Sequence, residues 1–203
     1  MKNTLKALAL TLAILAALTG CAGKIRYPSY YTLNVPPAPD PVAQEQVRAS
    51  IAVREFQAPG YLRQGPIVYR SAPVKIGFYE YHRWAADPRV QVTNAVVDHL
   101  TAGGQFAAVS KYDGRSNADY VFSGRLEKLE EVDYDGGVRV EVAISAQITS
   151  MASGATVWSN TVSEAAAVPQ RNVPGVVSQM NKSMDIAIAN LLSSIPSTTA
   201  NDK

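Results

Sequence analysis

Between Tyr120 and Glu164 the chain carries a pattern that only a half-buried sheet accommodates. Over Val138 to Thr149 the even positions Val138, Val140, Val142, Ile144, Ala146 and Ile148 are apolar. The odd positions Arg139, Glu141, Ser145, Gln147 and Thr149 are polar, with Ala143 the exception. A period of two sends these two sets to opposite sides of a pleated strand. The flanking segments Tyr120 to Glu131 and Thr156 to Glu164 join it through Asp135-Gly136-Gly137 and Ser153-Gly154, both turn signals. The pattern predicts a three-strand antiparallel meander with one face buried and the other solvated or free for a partner.

The rest of the chain supplies what covers the buried face. Short strands are predicted at Ser50 to Phe56, Ile67 to Arg70, Val74 to Tyr79 and Phe106 to Lys111, with Pro59-Gly60 and Ser71-Ala72-Pro73 as breaks. Asp87 is a predicted N-cap with Pro88 at the first helical position, and Val92, Val96, His99 and Leu100 recur at helical spacing until Gly103-Gly104. A second helix, about Val173 to Ser194, is outlined by Val176, Val177, Met180, Met184, Ala187, Ile188, Leu191 and Leu192. The expected fold is α+β, a two-layer sandwich of a mostly antiparallel sheet with two helices packed on one face. A length of 203 residues at 47% hydrophobic content suits one such domain.

The N-terminus follows different rules. Lys2 and Lys6 precede an apolar run from Ala7 to Leu18, broken only by Thr11, and Leu18-Thr19-Gly20-Cys21 follows. A basic n-region and a short h-region make an export leader. The four residues ending at Cys21 look like the lipobox of bacterial lipoproteins, where the cysteine takes a thioether lipid and the chain is cut before it. The domain plan is a signal peptide over 1–20, lipidated Cys21 with a Pro-rich tether over 21–48, the α+β domain over 49–195 and a polar tail over 196–203. A short strand, Tyr30 to Val35, interrupts the tether. Ala22 after the cysteine is not the Asp resembling an inner-membrane retention signal, so the expected address is the outer membrane, facing the periplasm. The chain carries 19 Lys and Arg against 17 Asp and Glu. Loss of Lys2 and Lys6 with the leader makes these counts equal, and a neutral domain has no electrostatic footprint for nucleic acid or for anionic lipid surfaces.

Catalytic patterns are missing. There is no phosphate-cradling G-x-x-x-x-G-K-[ST], no G-x-S-x-G elbow and no H-E-x-x-H. A single cysteine supports neither a disulfide framework nor a zinc-cysteine cluster. His82 and His99 are the two histidines; an envelope hydrolase would need one as its base, but His99 reads as a half-buried helix residue and His82 as a polar strand end. The acidic run Glu127, Glu130, Glu131, Asp133 and Asp135 lacks calcium-loop spacing and reads as a solvated hairpin end. No catalytic residue, metal site or cofactor is expected beyond the covalent lipid on Cys21. Phe78, Tyr79, Tyr81 and Trp84, with Tyr61 and Tyr69 upstream and Arg63, Arg70 and Arg83 interleaved, have the residue types of interface hot spots, with core packing of half of them the default.

Taken in order, the lipobox, Tyr30-Tyr31-Thr32-Leu33, Pro59-Gly60-Tyr61-Leu62, Ile67-Val68-Tyr69-Arg70, Arg83-Trp84-Ala85 and Gly104-Gln105-Phe106 resemble the ABC-type transport auxiliary lipoproteins, the group containing paraquat-inducible protein C. The resemblance implies a non-catalytic outer-membrane lipoprotein serving an envelope lipid-transport system. Its ATPase is another polypeptide, and its bridging partner carries mammalian-cell-entry domains. It implies self-association into rings as a further property. Cys21 carries over as the lipid-bearing residue. Tyr61, Leu62, Tyr69, Arg70 and Trp84 match family positions, and with Tyr79 and Tyr81 they make the expected partner interface. A lipid carrier enclosing an acyl pocket is the alternative of a different class.

Overall fold

The structure is a computed structural model that describes residues 26–37, 47–115, 117–134 and 136–196. The leader, Cys21 and most of the polar tail lie outside the described residues. In chain order come β1 (Ser29–Tyr31), β2 (Val47–Val53), a 3-10 turn (Gly60–Arg63), β3 (Pro66–Ala72), β4 (Lys75–Trp84) and α1 (Pro88–Gly103). Then follow β5 (Phe106–Lys111), β6 (Tyr120–Asp133), β7 (Val138–Ser150), β8 (Thr156–Ala167) and α2 (Val173–Ser193).

All eight strands join one mixed sheet organised by β6. One edge of β6 pairs antiparallel with β7 from Tyr120↔Ser150 to Asp133↔Val138, and β8 pairs antiparallel with β7 beyond it. The other edge is shared. β2 runs parallel to the first part of β6, Ile51↔Tyr120 to Val53↔Phe122, and β3 runs parallel to the last part at Tyr69↔Glu131 and Arg70↔Val132. Between them, Gln57 N donates to Gly124 O at 2.9 Å and accepts at its own carbonyl from Leu126 N at 2.8 Å, so the ladder is stitched across the gap. The sheet forks here. β2 leads to parallel β5, whereas β3 leads to antiparallel β4 and then to parallel β1.

The predicted meander forms with both hairpins in place, and its even β7 residues Val140, Val142, Ile144 and Ile148 are fully buried. Helix α1 packs on β5 and β2, and α2 on β7 and β8, side by side over the same face. The cap signals act as read: the Asp87 carboxylate accepts from Arg89 N at 2.9 Å, and Gly104 closes α1 with φ +63°, the left-handed region open to glycine. Asn172 caps α2 by accepting from Gly175 N. Met180, Met184 and Ile188 of α2 meet Leu126, Leu129 and Ile144 in one core, each apolar side chain contributing about 1.5–3 kcal/mol on burial.

Phe56 fills the fork. Its ring lies flat over Gly124, where any Cβ would strike it, and stands 6.1 Å from the Phe122 ring, which in turn is 6.0 Å from Trp158. Gly124→Val therefore costs about 1–3 kcal/mol by overpacking. Urea unfolding should show it, with Gly60→Ala, which points into open space, within about 0.5 kcal/mol of the parent.

Candidate functional site

The expected tether is not free over its whole length. After β1, the chain crosses both helices as a strap: Leu33 N donates to the Gln91 side chain of α1 at 2.8 Å, and Asn34 N to the Asn181 side chain of α2 at 2.6 Å. Asn181 returns a hydrogen bond to Thr32 O, and Val35 sinks into the core at 7% exposure. Beneath the strap the His99 side chain is nearly buried on α1, 3.9 Å from Asp185 of α2, and its Nε2 has no hydrogen-bond partner. Burial holds His99 below the usual imidazole range against the pull of Asp185.

β1 itself pairs in parallel with the end of β4, Ser29↔His82 to Tyr31↔Trp84. The Tyr31 hydroxyl and His82 Nδ1 are 2.9 Å apart, and the His82 ring stands edge-on to Tyr79 at 5.8 Å. His82 is thus a strand-end residue as expected, and it ties the N-terminal segment to the β3–β4 arm.

The seven residues of the expected interface part company in this arm. Leu62 and Trp84 are core, at 1% and 4% exposure. Tyr69 covers Gly77 and stacks at a tilt on Tyr79, and both rings are half-buried. Arg70 forks onto Glu130, Nε to Oε1 at 2.9 Å and Nη2 to Oε2 at 3.0 Å. Tyr61 lies half-buried near this pair, its hydroxyl pushed up by burial and then by Glu130. Tyr81 alone faces outward, under the Arg26 guanidinium at 6.0 Å.

The acidic run departs from its reading as a solvated end. Glu130 is fully buried and Glu131 is 5% exposed. Glu131 owes its place to a bulge between Leu126 and Lys128, after which Leu129 and Glu131 share the core face, opposite Val142 and Val140, whereas Glu130 lies on the other face, opposite Glu141 and bound by Arg70. Leu126-x-x-Leu129, three apart in a strand, is the sequence signal of that slip. The Tyr79 hydroxyl donates to Glu131 Oε2 at 2.7 Å. Burial still holds the Glu131 carboxyl above its ordinary range, and burial with Glu131 drives the Tyr79 hydroxyl far up. Asp133 is exposed, and Asp135 lies outside the described residues.

The face away from the helices is polar. Glu141, opposite Glu130, is held below its ordinary range first by Lys128 and then by Arg139, at 2.8 Å and 2.9 Å. Further along, Ser123, Arg125, Ser145, Gln147, Ser159 and Thr161 line an open concavity of about 550 Å³. Arg125 and Ser145 both bind the Glu127 carboxylate there. Such a lining suits water or polar groups; it is no acyl pocket. Among the described residues no group of three or more His, Cys, Asp or Glu could hold a metal ion. None of the described helices is long and apolar enough to cross a membrane.

Sheet, helix layer and strap define a class: an α+β module with a polar outer sheet face and an N-terminal segment built into its fold. A family model for the ABC-type transport auxiliary lipoprotein component matches residues 31–191, and the chain belongs to that family. The fold is shared with a protein (XCC0632) from Xanthomonas campestris, at 20% identity over 81% of this chain and 92% of that one, with a TM-score of 0.70. An uncharacterised protein of solved structure is similar at 17% identity over 84% of this chain and 100% of its own, TM-score 0.66. No curated protein matches. The family is that of a transport component, which agrees with the sequence reading of an auxiliary lipoprotein.

Removing Arg70 strands a fully buried carboxylate, so Arg70→Ala costs about 3–5 kcal/mol, and the apolar double variant Arg70→Met with Glu130→Leu recovers most of it. Denaturant unfolding of the three proteins checks this. A raised carboxyl means the folded chain holds its proton more tightly than the unfolded one, so Glu131 lowers stability as pH rises from about 4.3 through the folded value. The stability of Glu131→Gln relative to the parent should therefore increase with pH across that window.

Proposed function

We propose that the protein is a non-catalytic adaptor, lipidated on Cys21, anchored in the outer membrane and facing the periplasm. It docks an ABC-type lipid-transport assembly whose bridging subunit carries mammalian-cell-entry domains. The observation that carries the reading is the family match from residue 31 to 191, beginning ten residues after the cysteine of a Leu-Thr-Gly-Cys lipobox. The physical case is consistent with it. The apolar side chains between sheet and helices are spent on the core, and what the sheet offers outward is polar, half-buried and charge-paired. Non-obligate interfaces are built from such surfaces. A lipid anchor confines the domain to two dimensions, so a modest interface suffices to capture a bridging subunit.

Three acyl chains at about 0.8 kcal/mol per methylene hold effectively permanently, while the unmodified thiol holds nothing. Cys21→Ser should leave the domain folded by circular dichroism and move it from the outer-membrane fraction to the soluble periplasm. Retention of the serine variant in the membrane fraction refutes the anchor. Affinity capture of the wild-type lipoprotein should bring down a bridging subunit. Co-purified phospholipid on the purified chain, seen by mass spectrometry, would favour the carrier instead.

A further inference from the structure

Four of the seven large hydrophobic side chains exposed among the described residues lie along one arm of the sheet: Tyr27 at 82%, Tyr30 at 63%, Val74 at 94% and Phe78 at 38%. Val90, Met151 and Ile186 are scattered elsewhere, on α1, in the β7–β8 turn and on α2. Tyr27 and Tyr30 flank the start of β1, Phe78 lies on β4, and Val74 is at the β3–β4 hairpin tip. Arg26 and Lys75 belong to the same arm, with Glu80 the acid between them.

This is also where the chain leaves toward Cys21. Four residues lie between Cys21 and Arg26, so five chain steps span at most about 18 Å at 3.3–3.6 Å per residue. The strap and β1 tie residues 29–35 to the domain, so the anchor cannot swing the module far from the bilayer. We propose that the β1–β3–β4 arm is a membrane-contact surface, with Tyr27, Tyr30, Val74 and Phe78 entering the headgroup region of the bilayer that holds the lipid on Cys21. The inference rests on the lipidation reading above. Its chemistry is that of the interface: tyrosines with an apolar body and a wet hydroxyl, aliphatic and phenyl groups beside them, and cations for phosphate. A domain with balanced charge is not drawn flat onto lipid by its net field, so this local set orients it. The polar concavity and the free edge of β8 then lie away from the arm, available to a partner.

The test uses the full lipoprotein, reconstituted through its own anchor into vesicles of phosphatidylethanolamine and phosphatidylglycerol. Cys21 is acylated, so Val74→Cys, Tyr27→Cys or Met151→Cys supplies the one thiol for an environment-sensitive fluorophore. Met151 lies at the opposite end of β6 from Val74, beside the Tyr120↔Ser150 pair. With brominated lipids, the probes at positions 74 and 27 should lose most of their emission while the probe at 151 keeps its own. If the protein floats with the vesicles but positions 74 and 27 stay as bright as 151, or all three are quenched alike, the contact surface is refuted and the anchor stands. If the protein does not float at all, the anchor fails and takes the contact surface with it.

Discussion

The backbone ladder along the shared edge of β6 sets the position of every other element. A single strand of 14 residues is long enough to serve two neighbours in succession, and β2 and β3 take its two ends. The gap between them closes only because Gly124 lets the Phe56 ring lie against the backbone. From that junction β2 carries β5 and α1 to one side, and β3 carries β4 and β1 to the other. The opposite edge of β6, paired throughout with β7, brings in β8 and α2. The two helices then meet over a core common to both branches of the fork.

Much of this architecture was legible because its signals are local. The β7 alternation, the hairpin glycines, Asp87-Pro88 and the Gly104 stop each depend on residues a few positions apart, and the structure follows them. The fork was not legible. Nothing near Ile51 or Tyr69 records that both will pair with β6 in parallel, since parallel partners are set by packing between distant segments. The burial of Glu131 was missed because a bulge reverses the inward and outward positions of β6 midway. Glu131 then falls on the core side, where only Tyr79, 52 residues earlier, supplies its partner.

The expected interface shows how residue type alone misleads. Leu62 and Trp84 are used by the core, Arg70 by a buried carboxylate and Tyr79 by another. An aromatic and arginine-rich segment can be rich in contacts that are all internal, which is why exposure rather than composition decides which groups remain for a partner. What remains on this arm is Tyr27, Tyr30, Val74, Phe78 and Tyr81, a set that overlaps the sequence expectation at a single residue.

The strap has a mechanical meaning. Hydrogen bonds from Leu33 and Asn34 to two separate helices, together with the β1 ladder and the seated Val35 side chain, tie the first described residues into both halves of the helix layer. Tension applied at the N-terminal side of this segment is spread over several bonds at once and passes into α1, α2 and β4 together. The module is therefore built to answer a pull on this segment as one body, the way a bollard takes a mooring line, instead of fraying strand by strand.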